Sequence, residues 1–258
     1  MNEETGPITA SMVVIGDEIL SGRTKDVNVG HLADTMTVIG IDLVEVRMVS
    51  DDQGAIVEAV NALRGRTTYV FTTGGIGPTH DDITAEAVSA AFNLPCIYDE
   101  RALDILSEAY ASRNIDFTDA RRRMARMPEG ADLIENRVSA APGFRIENVH
   151  VMAGVPKIMQ AMLDAIVPTL RTGAKMLSES IVVPHGEGLI AVPLGKIHER
   201  HPGCVIGSYP KWDDGSFSTE IVVRSREKAN LDKALQEVAE MVSNLDPSAA
   251  ASRRTPHR

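Results

Sequence analysis

Cysteine is nearly missing from this chain. Its 258 residues include two, Cys96 and Cys204, far apart and outside any Cys-x-x-Cys spacing, so neither a disulfide framework nor a thiolate zinc centre is expected. His185, His198 and His201 are not at metal-ligand spacing either. No apolar run is long enough to span a bilayer and no charged-then-apolar leader opens the sequence, so the expectation is a cytoplasmic protein without membrane contacts. Basic charge is also in short supply. Lys and Arg number 26 against 36 Asp and Glu, for a net charge of −10, and an acidic body lacks the positive face that sequence-independent nucleic-acid binding needs. What remains is an ordinary globular composition, 43% hydrophobic and 24% charged, in a length that suits one large or two modest cores.

The most informative stretch is Thr72-Thr73-Gly74-Gly75-Ile76-Gly77-Pro78-Thr79-His80-Asp81-Asp82-Ile83-Thr84. The β-branched and aromatic run Tyr69 to Thr72 predicts a buried strand before it. Apolar Ile83, Ala87, Val88 and Ala91 at helical spacing predict a helix from Ile83 to Phe92 after it, capped by Asp82 or Thr84. A strand, a glycine-rich turn and a helix N-terminus together expose unpaired backbone N–H groups, and the glycines let a ligand approach the chain. Yet the loop has neither the Gly-Lys-Ser/Thr end of a P-loop nor the glycine spacing of a dinucleotide fingerprint.

Two carboxylates stand where a phosphate site favours a cation. A helix N-terminus stabilises an anion by about 0.3–1 kcal/mol, whereas a carboxylate about 4 Å from a phosphate charge opposes it by about 4 kcal/mol at an effective dielectric of about 20. Repulsion wins unless a positive charge lies between them. From the residues alone two readings stay open: a capped helix with both aspartates solvated, or a divalent ion, Mg²⁺ by default, bridging them to a phosphate or pyrophosphate.

Other strand ends repeat the pattern. Ala10 to Ile15 predicts the first buried strand, closed by Gly16 and followed by Asp17 and Glu18, with Asn28 a further polar candidate in the loop toward the next helix. Leu43 to Val49 predicts the second, in which Val44, Val46 and Met48 alternate with a more polar face of Glu45 and Arg47, and Asp51 and Asp52 follow. Right-handed crossovers put three such acidic ends along one edge of a doubly wound sheet. Downstream, Asp99 and Thr118 read as helix caps and Met127-Pro128-Glu129-Gly130 as a turn. Arg121, Arg122, Arg123 and Arg126 form either a phosphate clamp or a solvated face.

Thr73 to Thr84 resembles the signature of the molybdopterin-binding (MoaB/MogA-like) superfamily, in the Pro-Thr-x-Asp-Asp form found at the N-terminus of CinA-type competence/damage-inducible proteins and of some FAD synthases. Five further stretches are similar in order: Gly16-Asp17-Glu18-Ile19-Leu20-Ser21-Gly22, Val49-Ser50-Asp51-Asp52, Met127-Pro128-Glu129-Gly130-Ala131, Ala141-Pro142-Gly143-Phe144 and Gly154-Val155-Pro156. There are departures. Ser139-Ala140 stands where the family often has Gly-Thr, which puts a hydroxyl contact there in doubt, and Ala153 precedes Gly154 where a proline is commoner.

The resemblance implies an α/β fold: a three-layer α/β/α, mostly parallel, molybdopterin-binding-like domain over residues 8–172. A smaller α+β domain follows over 173–245, and the tail 246–258 is expected to be disordered. It also implies metal-dependent hydrolysis of a nucleotide pyrophosphate such as ADP-ribose, with Mg, Mn or Co as the ion. Asp51 and Asp82 would hold or orient the metal, with Asp17 as a further ligand and Asp81 in catalytic support. Gly74, Gly75, Gly77 and Thr79 would cradle phosphates, and Gly16, Asp17, Glu18, Asn28, Pro142, Gly143 and Gly154 would complete the substrate wall. Adenylyl transfer to molybdopterin, and pterin or nucleotide binding without turnover, remain alternatives. A homo-oligomer is expected by analogy, and the deamidase activity of the amidase-like domain in full-length CinA proteins is not expected.

Overall fold

The computed structural model describes residues 6–213, 216–245 and 252–254, and the chain divides into two compact units, Met1–Gly173 and Ala174–Arg258. In the first unit the apolar run Thr9–Ile15 forms β1, buried from Ala10 onward because both its faces are covered. A short α1 (Asp17–Leu20) and α2 (Asn28–Val38) lead to β2 (Asp42–Val49), and α3 (Gln53–Arg64) crosses to β3 (Tyr69–Thr73), which is followed by α4 (Thr84–Ala91). A two-stranded excursion, β4 (Cys96–Tyr98) with β5 (Arg126–Pro128), brackets α5 (Glu100–Ser112) and α6 (Asp119–Arg122). The meander β6 (Asp132–Ile134), β7 (Gly143–Ile146) and β8 (Val149–Met152) then runs into α7 (Pro156–Ile166).

The main sheet has six strands in the order β2-β1-β3-β8-β7-β6. β2, β1, β3 and β8 are parallel, and β7 is antiparallel to both neighbours. Helices cover both faces, giving the three-layer, mostly parallel architecture. On one face α3, α4 and α5 bury Val60, Leu63, Val88 and Leu106 against Val13, Val70 and Val151. On the other, α2 and α7 bury Leu32, Met36, Met159 and Leu163 against Met12, Phe71 and Met152. Each such side chain stabilises the fold by about 1.5–3 kcal/mol. Local signals agree with this packing. Asp52 caps α3 by accepting from Ala55 N at 2.9 Å, Asp99 caps α5, and Pro156 opens α7, where its missing N–H costs nothing.

Several expectations needed correction. The apolar alternation in β2 does not face the core: Val44, Val46 and Met48 are 57%, 36% and 47% exposed. β2 is an edge strand, and these three side chains stay largely open to solvent. Met127-Pro128 is not a turn but part of β5, and the turn falls at Gly130. The expected disordered tail lies outside the described residues except for 252–254, which form a strand instead.

The second unit is α+β. β9 (Leu177–Val183), β10 (Val205–Asp213), β11 (Ser216–Ser225) and β12 (Ser252–Arg254) form an antiparallel sheet in the order β10-β11-β9-β12. α8 (Glu187–Arg200) and α9 (Lys228–Leu245) bury Ile190, Leu194, Leu235 and Val238 against Ile181, Val183, Ile221 and Val223. α8 continues through Pro193, because the buried stripe Ile190, Leu194 and Ile197 outweighs the one missing backbone bond. Among the described residues no helix is long and apolar enough to cross a membrane.

Candidate functional site

β1 feeds α2 on one face of the sheet, and its neighbour β3 feeds α4 on the other. The chain therefore parts at the carboxyl ends of these two strands, which is where open α/β sheets form a binding crevice. The glycines of the central loop make that parting tight. Gly74 has φ +102°, and a Cβ on it would lie 2.0 Å from the Ile15 carbonyl oxygen; at Gly75, φ +65°, a Cβ would lie 2.2 Å from Thr84 Oγ1. From the other side Gly154 approaches so closely that a Cβ there would be 3.2 Å from Gly74 Cα.

The start of α4 is organised differently from the sequence reading. Ile83 occupies the cap position and no side chain caps the helix. Thr84 Oγ1 instead donates to the Gly74 carbonyl at 2.9 Å, and Thr84 N donates to the Gly75 carbonyl at 3.0 Å, pulling the helix onto the loop. Asp82 does not cap either. Its Oδ2 accepts from Thr79 N at 2.7 Å and from Thr79 Oγ1 at 2.5 Å, closing the loop on itself. Among the described residues the N–H groups of Gly75, Ile76 and Gly77 donate to no backbone acceptor.

Three strand ends supply the charge. Asp51, after β2, accepts from Asp17 N, after β1, at 2.9 Å. Its carboxyl is pushed above the usual range, first by burial, then by the charges of Asp17, Glu18 and Asp81, against the lowering effect of the Asp17 N–H. Side chains from β1, β2 and the loop after β3 therefore share one electrostatic neighbourhood, with Asp51 at its centre. Asp52 caps α3 and stands outside it. Among the described residues no three His, Cys, Asp or Glu side chains are gathered closely enough to cage a metal ion.

The remaining sequence candidates divide. Asn28 is buried as the first residue of α2; its Nδ2 donates to the Gly154 carbonyl at 2.8 Å, while its Oδ1 has no partner. Gly16 is buried at the end of β1 and its N–H donates to the Val49 carbonyl at 3.1 Å, tying β1 to β2. Pro142 and Gly143 are buried at the start of β7, and a Cβ on Gly143 would lie 2.4 Å from the Val151 carbonyl oxygen, so the bare Cα serves strand packing.

Two features were not legible beforehand. Arg123 is the arginine of its cluster that reaches the loop, through Nη2 to the Asp82 carbonyl at 3.4 Å and to Glu86 at 3.6 Å. Arg126 pairs with the same Glu86, whereas Arg121 and Arg122 lie over the rings of Tyr110 and Phe117. Thr73, the last residue of β3, is buried with its hydroxyl unpartnered beside the crevice.

Comparison with known proteins gives this geometry its relatives. Residues 11–172 match a family model described as a probable molybdopterin binding domain, and residues 175–246 match one described as the middle domain of FAD synthase. A protein of Caldivirga maquilingensis is 32% identical over 256 residues, covering 92% of this chain and 98% of its own. One of Archaeoglobus fulgidus is 32% identical over 234 residues, covering 90% and 97%. Among solved structures, the protein CinA of unknown function from Thermoplasma acidophilum superimposes with a TM-score of 0.58 at 32% identity, covering 63% of this chain and 98% of that one.

Proposed function

Because the chain belongs to the molybdopterin-binding domain family, with a CinA-like central loop, we propose that its first unit hydrolyses the pyrophosphate of a nucleotide such as ADP-ribose with the help of a divalent cation. The observation that carries this reading is Asp51, held among Asp17, Glu18 and Asp81 beside free loop amides. The amides suit phosphate oxygens and the carboxylates repel them, a conflict that a doubly charged ion resolves. The donor set fits such an ion. Its side-chain donors are the carboxylate oxygens around Asp51, and although no three of them cluster into a cage among the described residues, Mg²⁺ takes one or two protein carboxylates plus substrate phosphates and waters. When bound, the ion supplies charge neutralisation at the pyrophosphate.

The reaction adds water across a P–O–P bridge and yields two phosphomonoesters. In it the N–H groups of Gly75, Ile76 and Gly77 orient one phosphate. Asp51 Oδ2 is held by the Asp17 N–H, so Oδ1 is the atom that accepts the proton of the attacking water. A carboxyl pushed above its ordinary range is a better base near neutral pH than a free one. Asp82, assigned to the metal on sequence grounds, orders the loop through Thr79. Asn28 Oδ1, buried without a partner, accepts from a donor on the substrate.

The test is incubation of the protein with ADP-ribose and a panel of pyrophosphate-linked nucleotides, with Mg²⁺, Mn²⁺, Co²⁺ or EDTA. Release of AMP that requires a cation and is lost in Asp51→Asn is expected. Turnover that is unchanged in EDTA, or appears only when molybdopterin is supplied as acceptor, overturns the hydrolytic reading. Binding of the nucleotide without products leaves a carrier in its place. The exposed stripe Val44, Val46 and Met48 supports a homo-oligomer, and sedimentation of Val46→Lys is expected to show smaller particles than the parent chain.

A further inference from the structure

The sheet of the second unit ends differently on its two sides. β10 carries Pro210 and Lys211. Proline cannot donate to a ladder and lysine resists being covered, so such a strand turns a further one away. The core strand at the other side is β9, Leu177-Ser178-Glu179-Ser180-Ile181-Val182-Val183, which has neither residue. Its one charge, Glu179, is met by Lys228 of α9 at 3.6 Å, so nothing in its own sequence repels a neighbour. The protection comes from elsewhere in the chain. With β11 on one side of it, β9 takes β12 on the other, Ser252 pairing with Val182, Arg253 with Ile181 and Arg254 with Ser180.

This guard is short. It pairs with three of the seven positions of β9, the low end of what a strand spans. Asp246 to Ala251 tether it to the end of α9, and so short a tether keeps its local concentration high. Leu177 to Glu179 lie beyond its reach. β9 is suited to pair with a copy of itself. Antiparallel pairing about Ser180 sets Leu177 against Val183, Ser178 against Val182 and Glu179 against Ile181. No charge then stands directly opposite its like, and the positions that pack under the helices, Ile181 and Val183, stay on the same face in both copies.

We propose that β12 is a removable guard, and that when it lifts β9 becomes an interface that pairs antiparallel with β9 of a second copy of this chain, about a two-fold axis at Ser180. The contact uses the same surface on both partners and closes at two copies, because the far edge of each sheet is still β10 with its proline and lysine. It belongs to the second unit and does not depend on the hydrolytic reading.

The full-length chain carrying Ser252→Pro together with Arg253→Pro tests this. Alternate residues of a strand point at its neighbour, so one of the two prolines removes a ladder donor whichever residue faces β9, and β9 itself is untouched. Val46→Lys is present throughout, so that association at β2 adds nothing to the readout. Sedimentation is expected to show the proline variant at twice the mass of its Val46→Lys counterpart as concentration rises. Hydrogen exchange is expected to show its β9 amides slow in concentrated solution and about tenfold faster on dilution, whereas in the counterpart they stay slow at both. A peptide of residues 246–258, added in excess, should return the variant to the smaller mass, and the same peptide with both prolines should not. The proposal is overturned if the proline variant keeps the smaller mass, or if its β9 amides do not respond to concentration. It is equally overturned if the variant grows past two copies, if its doubling survives the peptide, or if the two peptides act alike.

Discussion

At the carboxyl end of the parallel strands, Asp51 sits half-buried among Asp17, Glu18 and Asp81; at the other end of the same sheet, His150 sits fully buried beside Arg145. Each side chain has its neutral form favoured, the acid by burial and like charge, the base by burial and a nearby guanidinium. The surroundings differ in what they leave unmet. Around Asp51 the unmet quantity is charge, since the carboxylates of Asp17, Glu18 and Asp81 all act on it and the basic side chains nearby, His80 and Arg123, reach Asp81 and the Asp82 carbonyl instead. Around His150 the charges are paired, and burial with the Arg145 charge outweighs the opposing backbone hydrogen bonds of Asn148 and Val70. One sheet thus holds two side chains kept neutral by different surroundings.

The largest effect expected from breaking this contrast is at Asp51. Asp51→Asn should lower cation-dependent pyrophosphate hydrolysis by about a thousandfold while leaving Tm near that of the parent chain, as loss of a general base does. Full activity in that variant removes the charged end of the comparison.

Next comes the backbone that holds the crevice together. Gly74→Ala puts a Cβ against the Ile15 carbonyl at a φ of +102°, and should cost about 3 kcal/mol in urea unfolding. Gly130→Ala, at φ +83° with open space around it, should cost only about 1 kcal/mol. Equal costs would show that the close approach of β1 and β3 matters less than backbone strain.

The uncharged end has a pH signature of similar size. Burial, with the Arg145 charge adding, lowers the pKa of His150 from 6.5 to about 4. Between these values the unfolded chain binds the proton and the folded chain does not. Stability should therefore be level above about pH 6.5, fall by about 3 kcal/mol as the pH drops to about 4, and be level below that. Asp132, Glu135 and Arg145 line one cavity with His150, so the readout is the difference between the parent chain and His150→Phe. A smaller difference sharpens the comparison by measuring how much water reaches the ring. The smallest effect is at Asp82: Asp82→Asn keeps an oxygen for Thr79 and should cost about tenfold in rate, against about a thousandfold at Asp51.

Much of the fold was legible in the sequence because each element has a local cause. The stripe Ala87, Val88 and Ala91 of α4, the cap Asp99 and the run of β1 all state their structure in neighbouring residues. The exposure of Val44, Val46 and Met48 was not legible, since strand alternation says which residues share a face and not whether a helix covers that face. At the site, the aspartates and glycines were found by their place after strands. The hydrogen bonds from Thr79 to Asp82 were not, because they depend on how one turn closes on itself. His150 lies in the run Val149-His150-Val151-Met152, and a lone polar residue at an inward strand position was the available signal. Its meaning rests on Arg145 and Asp132, which reach it only through pairing of β8 with β7 and β7 with β6.

The bond from Asn28 to the Gly154 carbonyl joins positions 126 residues apart, and β8, the last strand of the main sheet to be made, inserts between β3 and β7. A ribosome will have released every acidic residue of the crevice well before the strand that walls it. Until then the outer edge of β3 is bare, and closing such distant pairings is slow. The crevice should therefore be completed late in synthesis, when β8 docks.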